Sequence, residues 1–239
     1  MKKKVVAAIM SVALVAAVGI GGTLAYLSSQ SNTVENVFTV GKGFIDDGEH
    51  TGLFIDEVEY EEKNDKNVMT GTRTEEGNTY VNLYPGDEFI KDPTVHMVGG
   101  SVESYVFVKV TGVDALEDTT AIPGTQTFDI TNWNTHAWKK VADSNGNTEN
   151  PGTEGDGIYL YQGRMSHNNI VDVTDYKEGV DVLLDEALFE TLKVNNVNEM
   201  PDAGNTLAAK IDVSACAVQA AQNTTWEDAF NDALARFTE

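Results

Sequence analysis

The sequence predicts an all-β protein, a β-sandwich that closes on a short C-terminal helix and is preceded by a signal-peptide helix. Many short segments alternate apolar and polar residues, which is typical of strands with one buried face, and residues 105–110 are the clearest of them. Turn-forming pairs such as Pro85-Gly86 lie between these segments. A series of short strands separated by turns favours a sandwich.

The first 25 residues predict a cleavable secretory signal peptide. Three lysines at positions 2–4 precede an uncharged, mostly apolar run over residues 5–20, which is shorter than the roughly 20 residues that a membrane-spanning helix needs. A small residue at Ala25 predicts cleavage between Ala25 and Tyr26. An uncleaved N-terminal anchor is the alternative. The prediction places the mature protein outside the cytoplasm, with membrane contact only before cleavage.

Residues 26–239 are predicted to form a single β-sandwich domain, and its first part, 26–44, an N-terminal strand or donor segment. Val34, Phe38 and Val40 fall on one face of an extended strand in this segment. They are therefore the candidate anchors if the segment is donated to another sheet. Pairing of the same segment within its own domain is the alternative.

Four further segments have a recognisable pattern. The highly charged residues 56–78 predict a long loop or a solvated hairpin. Residues 89–98 predict another strand, which Asp92-Pro93 limits to an edge or an irregular start. Residues 180–192 carry apolar residues at helical spacing and predict a short helix or a turn. Residues 206–220 alternate strictly and predict a half-buried strand at the core of a sheet.

The C-terminal helix is predicted over residues 225–238. Thr225 and Asp228 have the spacing of a capping box, which satisfies free N–H groups at the start of a helix. Apolar residues then recur at helical spacing and predict a core-facing stripe. Its members are Trp226, Ala229, Phe230, Ala233, Leu234 and Phe237.

Composition limits the partners and the compartment. The chain has 38 acidic and 16 basic residues and a net charge of −22, so its surface repels nucleic acid, and we expect no nucleic-acid partner. The single cysteine, Cys216, excludes an internal disulfide and either cross-links two chains or packs as a small side chain. A secreted chain without disulfides indicates a bacterium, and we expect a Gram-positive one.

No pattern in the chain predicts catalysis. The four histidines, His50, His96, His136 and His167, form no H-E-x-x-H motif and no close pair. The chain also lacks a G-x-S-x-G motif and a glycine-rich phosphate loop. We therefore predict no catalytic residue, no metal site and no enzyme activity, although scattered histidines can converge in space.

One loop partly resembles a calcium-binding loop. Asp143 begins it and Glu154 occupies its twelfth position. Thr148 stands where the sharp turn of such a loop requires glycine, and Pro151 falls inside it. A flexible surface loop is the favoured interpretation, with weak Ca²⁺ binding as the alternative and no cofactor otherwise.

Several short motifs occur together, in a fixed order. They are Gly21-Gly-Thr-Leu-Ala-Tyr-Leu-Ser28, Asn32-Thr-Val-Glu-Asn-Val-Phe-Thr-Val-Gly41, Tyr84-Pro-Gly-Asp87 with Lys91-Asp-Pro-Thr-Val95, Ser104-Tyr-Val-Phe-Val-Lys-Val110, and residues 211–221 with Trp226. Together they resemble the TasA/camelysin-like family of exported bacterial proteins, which a SipW-type signal peptidase processes. Residues 111–157 match no part of that pattern.

The resemblance implies a jelly-roll-like β-sandwich and a secreted subunit of extracellular matrix or biofilm fibres. In such fibres the N-terminal strand of one subunit completes the sheet of the next, which satisfies a row of open backbone groups. The implied partners are copies of the chain itself and, during export, a SipW-type signal peptidase. Camelysin-like relatives are described as metalloproteases, but no motif here supports that activity. The alternatives are a secreted monomeric β-sandwich binding module and a camelysin-like metalloendopeptidase.

Overall fold

The computed structural model describes residues 28–30, 43–184, 186–201, 210–223 and 225–237. Within these ranges the predicted all-β sandwich-like fold and the short C-terminal helix are confirmed. The predicted signal-peptide helix lies outside the described residues.

The described elements are mostly short strands. In chain order they are β1 (Ser28–Gln30), β2 (Leu53–Glu62), β3 (Asn67–Thr74), β4 (Glu88–Ile90), β5 (Thr94–Val98), β6 (Ser104–Thr111), α1 (Val113–Glu117), β7 (Phe128–Thr131), β8 (Trp138–Ala142), β9 (Gly157–Tyr161), β10 (Ser166–His167), β11 (Ile170–Val171), β12 (Asp181–Leu183), β13 (Thr191–Val194), β14 (Asp212–Gln219), a 3-10 turn (Ala220–Gln222) and α2 (Trp226–Arg236).

The largest sheet is built around β6. On one side β6 pairs with β14 over eight residues, and β14 pairs in turn with β1. On its other side β6 pairs with β9, which continues to β8, and at Ser104 with β11, which continues to β10. Two smaller sheets have the strand orders β12-β5-β2-β3 and β4-β13-β7. All these pairings are antiparallel.

The two faces of β6 pack against different partners. Val106, Val108 and Val110 belong to the cluster that the large sheet shares with the smaller sheets. Tyr105 and Phe107 belong to a second cluster, which α2 covers. The alternation of these residues in the sequence is therefore confirmed, but both faces are buried because a helix covers the outer one.

The strand predicted over residues 206–220 is confirmed over Asp212–Gln219, as β14, whereas residues 206–209 lie outside the described residues. Its first half has the half-buried character expected of it, and Asp212 is exposed. In its second half Ala215 and Ala217 face the sandwich core, whereas Cys216 and Val218 face α2. This half is buried on both faces because α2 packs over it.

The C-terminal helix follows its predicted capping. Thr225 Oγ1 accepts a hydrogen bond from Asp228 N at 3.3 Å, and it donates one to Asp228 Oδ2 at 3.0 Å. Ala229, Phe230 and Ala233 are buried on the sheet-facing side. The helix therefore covers the large sheet as the apolar stripe predicted.

The charged stretch 56–78 takes the hairpin alternative, as β2 and β3. Asn64 and Asp65 at its tip both have positive φ, 53° and 59°. This conformation is typical of the type I′ turn that matches the twist of two antiparallel strands. Residues 89–98, predicted as one strand, form two, β4 and β5, which belong to different sheets because the chain changes sheet at Asp92-Pro93.

A short helix or a turn is predicted within residues 180–192, and the prediction of a helix is wrong. The described residues there form β12, an irregular link and the start of β13. β12 pairs with β5, and Leu184, Leu188 and Phe189 are buried in the core. Strand pairing and burial of this kind outweigh a weak helical spacing. Sequence reasoning also missed α1, whose first N–H groups donate to the Asp156 carboxylate.

Candidate functional site

The candidate site for strand addition is the side of β14 that faces away from β6. β1 pairs there in antiparallel register, with Ser28 opposite Val218, Ser29 opposite Ala217 and Gln30 opposite Cys216. On the β6 side all eight residues of β14 have a register partner. Among the described residues, 212–214 have no strand partner on the β1 side. Within the described residues, this side of the strand is therefore paired over only part of its length.

Residues 215–218 of β14 present mainly their backbone groups to a neighbouring strand. Ala215, Cys216, Ala217 and Val218 are each 0% exposed. Since these side chains are buried within the protein, a neighbouring strand is held mainly by main-chain hydrogen bonds. The N–H and C=O groups along an open strand edge are a template for such pairing.

The predicted site residues of the N-terminal segment fall outside the described residues. These are the cleavage position, Ala25 and Tyr26, and the candidate anchors, which are Val34, Phe38 and Val40. The described strand, β1, lies near the start of the predicted segment 26–44 and consists of three polar residues. A strand of polar residues has no alternation of apolar and polar side chains, so that pattern could not have predicted it.

Cys216 packs as a small side chain in β14. It is a free cysteine and is completely buried under α2. Burial raises the pKa of its thiol to about 12. The thiol is therefore protonated and inaccessible in the folded chain, and of the two interpretations of Cys216 the packing one is confirmed.

Two of the four histidines converge on one phenylalanine. The His50 and His96 rings stack on Phe54, with ring centroids 3.9 and 4.4 Å from that of Phe54. His50 faces Asp47 and Glu75, and its Nε2 lies 2.8 Å from Glu75 Oε1. The stack therefore joins the loop before β2 to the residues that follow β3.

His96 lies deeper in this stack and joins three strands. Its Nδ1 is 2.7 Å from Asp181 Oδ1 on β12, and its Nε2 is 3.0 Å from Asp56 Oδ1 on β2. Arg73 Nε donates to the same Asp56 oxygen at 2.7 Å. Burial disfavours the charged imidazole, but hydrogen bonds to Asp56 and Asp181 outweigh burial and raise the pKa of His96.

Hydrogen bonds also shift the pKa values of the neighbouring groups. Burial opposes charge on His50, but Glu75 and Asp47 raise its pKa above the ordinary value. Burial opposes ionisation of Asp56, but His96 and Arg73 lower its pKa. Each imidazole nitrogen thus faces a carboxylate, which is the arrangement of a salt-bridged cluster rather than of a metal site.

The other candidate ligands lie apart from this stack. His136 is between β7 and β8, and His167 is in β10. Asp143 Oδ1 accepts hydrogen bonds from Asn145 N and Asn147 N, both at 2.9 Å, within its own turn. In the part of the chain that the structure describes, no group of three or more His, Cys, Asp or Glu residues is arranged to hold a metal ion.

Comparison with known proteins adds no assignment. No protein-family model, no curated protein and no solved structure matches the chain. No helix within the described ranges is long and apolar enough to cross a bilayer. Function therefore has to be argued from the residues themselves.

Proposed function

We propose that this chain is a secreted structural protein, a subunit of extracellular matrix or biofilm fibres that self-associates by β-strand addition. The observation that carries the proposal is the pairing of β1 with the side of β14 that faces away from β6. β1 comes from the segment that the resemblance to TasA/camelysin-like proteins implies as the donor. The proposal includes membership of that family and cleavage by a SipW-type peptidase between Ala25 and Tyr26.

The weakness of the β1 pairing favours exchange between copies. β1 contributes only three residues to the sheet, and each main-chain hydrogen bond adds a net stability of about 0.5–1.5 kcal/mol. A strand held by so few bonds is readily replaced by the same strand of a second chain. Exchange of an identical element between copies is a low-cost route to association.

The length of β14 favours a longer donor than β1. β14 has eight residues, of which β1 pairs with three. A donated segment that continued along residues 212–214 would add main-chain hydrogen bonds that β1 does not make. The gain from these bonds drives head-to-tail addition, which extends into a fibre when the geometry does not close into a ring.

The charge of the chain makes assembly dependent on salt. Cleavage after Ala25 removes three lysines and changes the net charge from −22 to −25, so copies repel one another at low ionic strength. Salt screens this repulsion, since the Debye length falls from about 30 Å at 0.01 M to about 8 Å at 0.15 M. We expect assembly to be slow in dilute buffer and faster at physiological ionic strength.

Electron microscopy and sedimentation velocity of the secreted, purified protein test the proposal. We expect fibres or high-mass oligomers from the unaltered protein and neither after deletion of residues 26–40. Ser29→Pro removes a backbone N–H from β1 and should impair assembly. Ser29→Ala keeps that N–H and is the matched control, which should assemble normally.

Other results would favour the other functions. A strictly monomeric protein at high concentration, unchanged by the deletion, contradicts the fibre and favours a monomeric β-sandwich binding module. Casein cleavage that survives purification and stops on addition of a chelator favours a camelysin-like metalloendopeptidase.

A further inference from the structure

A buried amine, a carboxyl group and a carboxamide meet beside β2, away from the β14 edge. Lys91 Nζ donates to Glu57 Oε2 at 2.6 Å, and Asn78 Nδ2 donates to Glu57 Oε1 at 2.8 Å. Lys91 is 8% exposed and Glu57 is 6% exposed. A single carboxyl group therefore holds a potential nucleophile on one oxygen and a potential acyl donor on the other.

The Asn78 carboxamide is also fixed by the backbone of β2. Its Oδ1 accepts from Tyr60 N at 2.6 Å, and its Nδ2 donates to Val58 O at 2.8 Å. The pairing register of β2 with β3 shifts between these two residues, so the amide occupies an irregularity of the strand. A backbone N–H aimed at the amide oxygen polarises the carbonyl and stabilises negative charge that develops there.

Aromatic side chains lie next to these three groups. The rings of Tyr60, Tyr80 and Phe89 contact one another with centroids 5.1 to 5.7 Å apart. The Tyr80 hydroxyl is buried and has no hydrogen-bond partner of normal geometry among the described residues. Burial is the main cause of the raised pKa of Tyr80, and the negative charge of the nearby Glu57 adds to it. Asn78 lies close enough to this hydroxyl to affect its pKa as well. Buried hydroxyls are normally paired, so this donor beside the amide is unusual.

We propose that Lys91 and Asn78 join in an intramolecular isopeptide bond, with Glu57 as the general acid and base. Transfer of a proton from Lys91 Nζ to Glu57 Oε2 gives a neutral amine and a neutral acid. The amine nitrogen attacks Asn78 Cγ and forms a new C–N bond, and the Tyr60 N–H stabilises the oxyanion.

The second half of the reaction releases ammonia. The proton lost by the attacking nitrogen passes through the Glu57 carboxyl group to Asn78 Nδ2, and the Cγ–Nδ2 bond breaks. One amide is formed, one ammonia leaves and takes up the proton that Lys91 first gave to Glu57, and Glu57 ends as a carboxylate. No oxidant, reductant or cofactor is consumed. Asn78 is only half-buried, so ammonia has a path to solvent.

The bond would join the residues after β3 to the link between β4 and β5. It closes the chain between residues 78 and 91 into a covalent loop, which restricts the unfolded state in the way that a disulfide does. A secreted chain whose single cysteine excludes internal disulfides gains a covalent brace by this route. The inference is independent of the proposed fibre function.

Mass spectrometry of the full purified chain tests the bond through one tryptic site. Between Arg73 and Lys109 the only trypsin site is Lys91, and trypsin does not cleave after an acylated lysine. We expect the unaltered protein to yield peptide 74–109, lighter than its sequence mass by one ammonia, about 17 Da. Fragmentation should produce no backbone ions that separate residues 78 and 91.

Variants identify the groups that react. Lys91→Arg keeps the positive charge but is not a nucleophile, and Glu57→Gln removes the acid–base group. Both should yield peptide 74–91 at its sequence mass. Lys193→Arg on β13 is the matched control and should keep the mass loss.

Two results would overturn the proposal. The first is peptide 74–91 at its sequence mass from the unaltered, folded protein after prolonged incubation. The second is a loss of about 17 Da on peptide 74–91 with cleavage after Lys91 intact, because cleavage shows that Lys91 is not acylated and the mass loss then reports a succinimide at Asn78 or Asn82. Both are read from the unaltered chain, so failure of a variant to fold does not affect the test.

Discussion

The centre of the large sheet and the sheet formed by β12, β5, β2 and β3 are stabilised in different ways. In β6, Phe107 and Val108 are no more than 1% exposed and contact apolar side chains on both faces of the sheet. In the smaller sheet, His96 is paired with carboxylates and Arg73 connects Asp56 to Asp92. The first arrangement depends on burial, which pH leaves unchanged, whereas the second depends on protonation. The stability of the large sheet is therefore expected to be independent of pH, whereas that of the smaller sheet is expected to depend on it.

The largest effect is expected in the large sheet. Phe107→Ala removes a buried ring that packs on Phe230, whose centroid lies 6.0 Å away. We expect the free energy of unfolding to fall by about 3–5 kcal/mol. Urea denaturation at pH 5.5 and at pH 8 should give the same loss. A loss below about 1 kcal/mol, or one that differs between the two pH values, would contradict the comparison.

The ionic cluster should make stability depend on pH in a defined direction. The pKa values of His50 and His96 are raised, so their contribution is complete below about pH 6.5 and is lost as pH rises through the folded-state values. The pKa values of Asp47 and Asp56 are lowered. The contribution of these two carboxylates to stability is therefore complete above about pH 4 and is lost as pH falls through their folded-state pKa values. The cluster stabilises most between these limits.

His96→Gln isolates the histidine part of this dependence. We expect the variant to lose about 1.5–3 kcal/mol at pH 5.5, the range for hydrogen bonds to charged groups, and less at pH 9. The measurement is urea denaturation of both proteins across that range. An identical slope of stability against pH in the two proteins would show that His96 carries none of it.

The smallest effect is expected where α2 begins. Thr225→Ala removes the hydroxyl that accepts from Asp228 N and should cost about 1 kcal/mol. Thr225→Ser keeps the hydroxyl and should change stability little. Thermal unfolding followed by circular dichroism measures both. Equal melting temperatures for the alanine and serine variants would mean that the cap does not stabilise α2, the helix that packs on the large sheet.

The sequence predicts the large sheet better than the ionic cluster, for a physical reason. The two faces of β6 and the cap of α2 are encoded by residues within a few positions of one another, and the periodicity reveals them. His50 and His96 meet only because β2 and β5 pair. Glu57, Asn78 and Lys91 likewise come together only through the fold. No local pattern marks groups that tertiary structure brings together.

The error at residues 180–192 has the same origin. Leu184 and Leu188 are spaced as on a helix, but both are buried in the sandwich core by a chain that pairs with β5. Local spacing is a weak signal over so short a segment, and tertiary packing decides its conformation. In the segment 26–44 the apolar alternation lies at residues 34–40 and contains no signal for β1, whose three polar residues pair with β14.

The most direct test of strand addition uses a photo-crosslinking residue in β1. Gln30 lies opposite Cys216 in the β1–β14 register, so benzoylphenylalanine in place of Gln30 reacts with β14 of whichever chain accepts the strand and needs no accessible thiol. The variant is assembled, irradiated and separated on a denaturing gel, with the same variant carrying Ser29→Pro as the control. We predict a ladder of cross-linked multimers that the control lacks. Cross-linking within single chains alone would show that β1 pairs only within its own chain, and would contradict the account.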